Sequence, residues 1–162
     1  MTTDPTAGPY GDPNVYPPPL PGNLAPGGLL PRFLARLIDG IIVGLIGLVL
    51  ALVLDAVTSI WVTGLFSGVL TFIYFVAFET SQGATPGKRL LGMRVFGPAG
   101  APKPTMPQSA VRNAFTLLSA VPYFGGLLAF IAIIVIAVTI NSSPTKQGKH
   151  DEMAGGTQVV KG

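Results

Sequence analysis

A single acidic residue inside a long apolar segment is the feature that most constrains the fold of this chain. Asp39 lies near the start of the segment PRFLARLIDGIIVGLIGLVLALVL, and fifteen uncharged residues follow it. About twenty apolar residues in a helix are enough to cross a bilayer, so the segment predicts a membrane-spanning helix. A carboxylate inside such a span is costly unless it is paired, and it therefore marks a functional or structural site.

Two arginines precede this acid on the same helical face. Arg32, Arg36 and Asp39 follow the spacing i, i+4, i+7, which places them on one stripe two turns long. We expect Arg112, from a later helix, to reach the depth of Asp39 and pair with it. Two interpretations stay open. The arginines anchor the helix at the membrane surface and the acid forms a structural salt bridge, or Asp39 binds a cation or proton for which an arginine competes.

The composition is that of a membrane protein. The chain is 49% hydrophobic and only 10% charged, whereas a soluble domain carries roughly 25% charged residues. Its net charge of +3 is concentrated in the loops, which indicates an anionic membrane surface as partner and argues against nucleic acid. The chain has no cysteine, one histidine and no evident nucleophile–base arrangement. We therefore expect no enzyme, no catalytic residue, no cofactor and no metal site.

Four helical segments predict an all-α integral membrane protein with a short cytoplasmic β-like loop segment. The expected membrane helices cover about 33–54, 60–78, 107–121 and 123–140, within a membrane domain of residues 32–162. Residues 1–31 hold nine of the sixteen prolines, and we interpret them as a disordered cytoplasmic tail. Residues 90–96 are compatible with a short strand, to which the β-prone residues 157–161 can pair.

Small residues favour close helix packing in two places. Gly40 and Gly44 form one GxxxG pattern, and Gly64 and Gly68 form another. In lipid such faces let two backbones approach closely. The two glycine patterns either pack the first two helices against each other within one chain, or they form a homodimer face.

The distribution of positive charge predicts the orientation in the membrane. The turn at 55–59 has no lysine or arginine, whereas the segment 79–112 has five. By the positive-inside rule the long loop is cytoplasmic, and both termini, which also carry basic residues nearby, are expected inside. This arrangement needs four crossings. The alternative has three crossings, with the helix at 107–121 lying at the interface and the C-terminal tail outside.

Several short strings, taken together, resemble the RDD family of small membrane proteins. They are RFLARLID at 32–39, TPGKRLLGMRV at 85–95, the pair Arg112–Asn113 and QGKHDEMAGGT at 147–157. The family is named for one arginine and two aspartates, which the resemblance places at Arg32, Asp39 and Asp151. The family's loop motif falls on Thr85, Pro86, Gly87 and Lys88.

The resemblance implies a multi-pass protein of the plasma (inner) membrane, and some members of the family are reported to act as cation/proton antiporters. We therefore expect a site for a monovalent cation or proton in a cluster of charged residues, namely Arg32, Arg36, Asp39, Arg112 and Asp151. Four short helices are few for an enclosed path, which favours a homo-oligomer. The alternative is a non-transporting accessory protein that binds a membrane partner through residues 1–31 or the basic loop.

Overall fold

The computed structural model describes residues 24–162. Most of the expected disordered tail, residues 1–23, lies outside the described part of the chain. The last part of that tail is ordered, contrary to the expected boundary at residue 31. Ala25–Pro26 (β1) pairs with a C-terminal strand, and the first helix already begins at Leu29.

The first helix, α1, covers Leu29–Val53. Pro31 is tolerated in its first turn because the backbone N–H groups there have no partner inside the helix. At 1.5 Å per residue α1 is about 37 Å long, enough to cross a hydrocarbon core of roughly 30 Å. Its buried residues follow a single stripe, and apolar residues dominate its exposed surface. The buried stripe comprises Arg32, Ala35, Asp39, Val43 and Ala51.

The second helical stretch is longer than the expected 60–78. It consists of α2 (Ile60–Leu65), a π-helical turn (Phe66–Leu70) and α3 (Thr71–Gln82), which follow one another without a break. Gly83, in the left-handed conformation with φ 68°, ends the stretch. The four extra residues place Glu79 inside a helix, on a buried face, and not at the start of a loop. Hydropathy does not predict this extension because the added turn is polar.

The loop after α3 forms a compact layer against the start of α1. It contains α4 (Pro86–Leu90) and the strand β2 (Met93–Phe96), which pairs antiparallel with β3 (Gln158–Lys161). The strand order is β1-β3-β2, with Met93 opposite Lys161 and Phe96 opposite Gln158. The observed strand β2 is therefore shorter than the strand expected at 90–96. A small apolar core joins the sheet to α1 and comprises Ala35, Met93, Val95 and Val159.

The C-terminal half contains the two remaining helical segments of the bundle. The expected helix at 107–121 is α5 (Met106–Asn113) followed by a 3₁₀ helix (Ala114–Ala120), and the expected helix at 123–140 is α6 (Gly125–Ser142). A short helix, α7 (Lys149–Met153), leads to β3. Within residues 24–162, α1 and α6 are the helices that are long and apolar enough to cross a membrane, judged by length and composition.

The two GxxxG patterns have different surroundings. Gly64 and Gly68 face Ala120 of the 3₁₀ helix, and a Cβ on Gly68 would lie 2.7 Å from the Ala120 backbone nitrogen. A Cβ on Gly40 or Gly44 would have no described atom within 4 Å. The Gly64/Gly68 pattern therefore packs within the chain, but its neighbour is the 3₁₀ helix and not α1. The Gly40/Gly44 pattern faces open space.

Candidate functional site: three buried carboxylates

Asp39 is fully buried and is held by neutral donors. Its Oδ1 accepts hydrogen bonds from the Tyr74 hydroxyl at 2.9 Å and from the Gly87 backbone N–H at 2.8 Å. Its Oδ2 accepts one from the Thr85 hydroxyl at 2.5 Å. Among residues 24–162, no lysine or arginine nitrogen lies within ion-pairing distance of Asp39. The expected pairing of Asp39 with an arginine is therefore wrong.

The loop motif explains why Asp39 has these partners. α4 packs against α1, and Pro86 opens α4 after the Thr85 N-cap, so that the Gly87 N–H points at the carboxylate. A Cβ on Gly87 would lie 2.9 Å from the Asp39 Cγ and would also overlap a backbone carbonyl oxygen of α1, so only glycine fits at this approach. The motif thus brings hydroxyl and N–H donors to a place where the sequence suggested guanidinium groups.

Glu79 is a second buried acid, and the sequence reasoning missed its role. Lys88 forms an ion pair with Oε1, and the Arg112 Nη1 lies 3.3 Å from the same oxygen. The Ser109 hydroxyl and the Asn113 side-chain N–H each donate to Oε2 at 2.9 Å. The signal was an acid that directly follows an apolar span, the same anomaly that singled out Asp39.

Asp151 is the third buried acid, and it lies at the start of α7. Its Oδ2 is 2.8 Å from the Arg32 Nη1 and accepts the Gly148 backbone N–H at 3.1 Å. Its Oδ1 is 2.8 Å from the Arg112 Nε, an ion pair whose N–H is not aligned for a hydrogen bond, and it accepts the Thr157 hydroxyl at 3.3 Å. Arg32 also donates to the backbone carbonyl of Lys146, and so it ties α1 to the C-terminal segment.

Arg112 connects two of these acids. It contacts both Glu79 and Asp151 because α5 packs against α3 and α7. It does not pair with Asp39, contrary to expectation. The structure thus brings Arg32, Arg112 and Asp151 together, as the sequence suggested, and it adds Glu79 to the group.

Arg36 is held by aromatic rings and not by a carboxylate. Its guanidinium lies 4.3 Å from the centre of the Phe75 ring and 4.6 Å from that of Phe115, a cation–π arrangement on two sides. Its Nη2 is buried without a hydrogen-bond partner, and within residues 24–162 Arg36 forms no ion pair. Arg36 therefore does not compete for Asp39 through a direct contact.

The ionisation of the residues outside the helical spans follows from burial and from these contacts. Burial lowers the pKa of Lys88 to about 8, although the Glu79 carboxylate opposes the shift. Burial likewise lowers the pKa of His150 to about 3, which keeps the imidazole neutral at pH 7. Burial alone would raise the pKa of Asp151, but the charges of Arg112 and Arg32 outweigh it and hold that pKa below its usual range.

The part of the chain that matches a known family contains all three buried carboxylates of this site. Residues 26–155 match the model of the RDD family. The chain belongs to the RDD family. No curated protein and no solved structure shows a significant match to this RDD protein.

Of the three positions in the family name, Arg32 and Asp151 form an ion pair, whereas Asp39 lies in a separate neutral environment. Within residues 24–162, no group of three or more histidine, cysteine, aspartate or glutamate residues has the geometry of a metal site. The site of this RDD protein therefore combines two ion-paired acids, which tie segments of the chain together, with one acid that has no cation partner.

Proposed function

We propose that this RDD protein is a non-enzymatic, multi-pass protein of the inner membrane with four crossings and both termini in the cytoplasm. The length and hydropathy of α1 and α6 support two of these crossings. The continuous helical stretch from residue 60 to 82 supports another. The segment 106–120 is about 26 Å long, since its 3₁₀ part rises more per residue than an α-helix, and this length supports the fourth.

We further propose that the protein exchanges protons for a monovalent cation and that Asp39 carries the exchanged ion. The observation that carries this proposal is the difference between Asp39 and the other two buried acids. Glu79 and Asp151 each have two cationic partners, which leaves no charge for a mobile ion to neutralise. Asp39 has only neutral donors, so a proton or a small cation can supply the missing positive charge.

The oxygen atoms around Asp39 suit this role. Hard cations prefer oxygen ligands such as carboxylates, hydroxyls and carbonyls. The hydroxyls of Tyr74 and Thr85 already touch the Asp39 carboxylate, and either can present a lone pair to a cation when its hydrogen turns away. We propose these three oxygen-bearing side chains as the ligands, with the proton and the cation as alternative occupants.

A cavity along α1 supports a path for the ion toward Asp39. It has a volume of about 360 Å³, and its lining includes Gly40, the residue that follows Asp39, although Asp39 itself does not line it. It continues along α1 past Gly44 and Gly47 to Ala51, and the hydroxyl-bearing residues Ser67 and Thr71 also line it. Because one wall consists of small residues with open space beside them, we propose that a second copy of the chain encloses the path.

Ion flux in proteoliposomes tests the exchange. Purified protein is reconstituted with an internal pH dye, and sodium, potassium or lithium is added outside. We expect cation-driven proton movement that is lost in Asp39→Asn and kept in the matched control Asp55→Asn. Asp55 is exposed and has φ 50°, a conformation that asparagine adopts readily, so the control removes one acid without affecting the fold. Flux that is absent in the parent protein, or unchanged in Asp39→Asn, would refute the proposal.

One observation favours the second candidate, an accessory protein that binds a membrane partner without transporting an ion. The face around Gly40 and Gly44 is open, which suits close approach of another transmembrane helix. Gly44→Leu should then abolish co-purification of a membrane partner. Deletion of residues 1–23, which keeps β1 and α1, tests the tail as the alternative contact. This candidate loses its support if neither change affects what co-purifies in mild detergent.

A further inference from the structure

A second cavity lies on the side of the charged cluster that faces α6. Its volume is about 250 Å³, and α1 and α6 supply its apolar walls. Since a water molecule occupies roughly 30 Å³ of liquid, this space holds a phosphate group and the beginning of a hydrocarbon chain. It shares no lining residue with the cavity along α1, and none of the proposed ion ligands, Asp39, Tyr74 and Thr85, lines it.

The side chains that line this cavity are of two kinds. Phe33 and Leu37 of α1 and Ile133 and Ile136 of α6 are apolar. The other kind is cationic and comprises Arg32, Arg36, Lys88 and Arg112. An occupant that suits both kinds has an anionic head and an apolar tail.

The charge balance identifies the head group further. Four cations line this cavity, and the acids that pair with them are Glu79 and Asp151. His150 also lines the cavity and is neutral at pH 7. The cations around the cavity therefore outnumber the acids that pair with them. Arg36 is the cation without a carboxylate partner, and its buried Nη2 lacks a hydrogen-bond acceptor.

Several apolar residues that line this cavity are exposed on the surface of α1 and α6. Phe33 and Leu37 are 57% and 52% exposed, and Ile133 is 42% exposed, on the two helices that are apolar enough to cross a membrane. Arg36 lies two turns into α1, near the end that we place at the cytoplasmic surface. Arginine binds phosphate through several N–H groups at once.

We propose that the cavity between α1 and α6 binds one anionic phospholipid of the inner leaflet, with its phosphate on Arg36 and an acyl chain between Phe33, Leu37 and Ile136. The phosphate supplies the acceptor that the Arg36 Nη2 lacks and offsets the unpaired charge of Arg36. The two phenylalanine rings hold the guanidinium in place, so it needs no reorganisation when the lipid binds. The site is independent of cation exchange and holds whether or not the protein transports an ion.

Native mass spectrometry and thermal unfolding of the delipidated full-length protein in neutral detergent test this proposal. The probes are phosphatidylglycerol, phosphatidylcholine and inorganic phosphate. We expect phosphatidylglycerol to remain bound and to raise the melting temperature, and the other two to do neither. Arg36→Gln should weaken phosphatidylglycerol binding by roughly tenfold or more, the effect of losing one charge-assisted contact. The control Arg89→Gln removes an exposed arginine of α4 and should bind as the parent does.

A second variant separates lipid binding from folding. Ala137→Leu keeps every charge and fills the apolar part of the cavity, so it too should weaken phosphatidylglycerol binding. The proposal is overturned if phosphatidylcholine binds as well as phosphatidylglycerol, or if both Arg36→Gln and Ala137→Leu bind as the parent does. A stabilising effect of inorganic phosphate equal to that of the lipid would instead assign the site to free anions and would also overturn it.

Discussion

Removal of the Arg112 guanidinium should be the most damaging single change in the ionic cluster. Arg112 contacts Glu79 through Nη1 at 3.3 Å and Asp151 through Nε at 2.8 Å. Breaking a buried ion pair by removing one partner costs about 3–5 kcal/mol, because a charge is left buried without compensation. Each acid keeps one other cation, Lys88 or Arg32, so we expect Arg112→Leu to cost about 3 kcal/mol, the lower end of this range.

Two further variants of the same kind give the expected order of effects. Arg112→Lys keeps the charge but replaces a fork of five donors by a single ammonium group, which can contact only one of the two acids. It should lower stability by about half as much as the leucine variant. Lys149→Ala removes an ion pair with Glu152 whose two side chains are more than half exposed, and its effect should be close to zero.

Thermal unfolding in detergent, monitored by size-exclusion chromatography of heated samples, measures these differences. We expect the largest loss for Arg112→Leu, a smaller loss for Arg112→Lys and none for Lys149→Ala. A melting temperature of Arg112→Leu equal to that of the parent, or an equal loss in Lys149→Ala, would refute this role of Arg112.

Three other changes test separate parts of the site by the same melting assay. Gly87→Ala should lower stability by several kcal/mol, because its Cβ would overlap the α1 backbone and the Asp39 carboxylate; a melting temperature equal to that of the parent contradicts this close approach. Tyr74→Phe removes one hydrogen bond to Asp39 and should cost about 1–3 kcal/mol, whereas Tyr123→Phe, at an 81% exposed position, should cost nothing. Folded His150 stays neutral down to about pH 3, but the unfolded chain takes up a proton below about pH 6.5, so stability should fall between pH 7.5 and pH 5. His150→Gln should reduce that fall, and an identical pH dependence in both proteins would contradict the assignment.

The helices were predictable because hydropathy and length decide them locally. The expected 33–54 and 123–140 differ from α1 and α6 by at most four residues at either end. The extension of α3 through Glu79 was not predictable, since its added turn is polar and Glu79 becomes buried only through contacts with α4 and α5. Local patterns do not contain these distant contacts.

The candidate site was predictable in its members but not in its pairing. Spacing correctly places Arg32 and Asp39 on the buried stripe of α1, because helical periodicity is local. Which group faces each of them depends on how α4 and α7 fold back onto α1. The Gly87 N–H reaches Asp39 and the Asp151 carboxylate reaches Arg32, and the sequence spacing alone contains no information on either approach. The role of these residues in ion exchange stays a prediction.

The central claim is that Asp39, unlike Glu79 and Asp151, changes its occupant between a proton and a metal cation. Infrared difference spectroscopy on the purified protein, with and without saturating sodium or potassium at constant pH, measures this change directly. The account predicts that cation addition removes a protonated-carboxyl signal, that Asp39→Asn lacks the signal and that Asp55→Asn retains it. A spectrum without any cation-dependent carboxyl change, or a signal that persists in Asp39→Asn, would contradict the account.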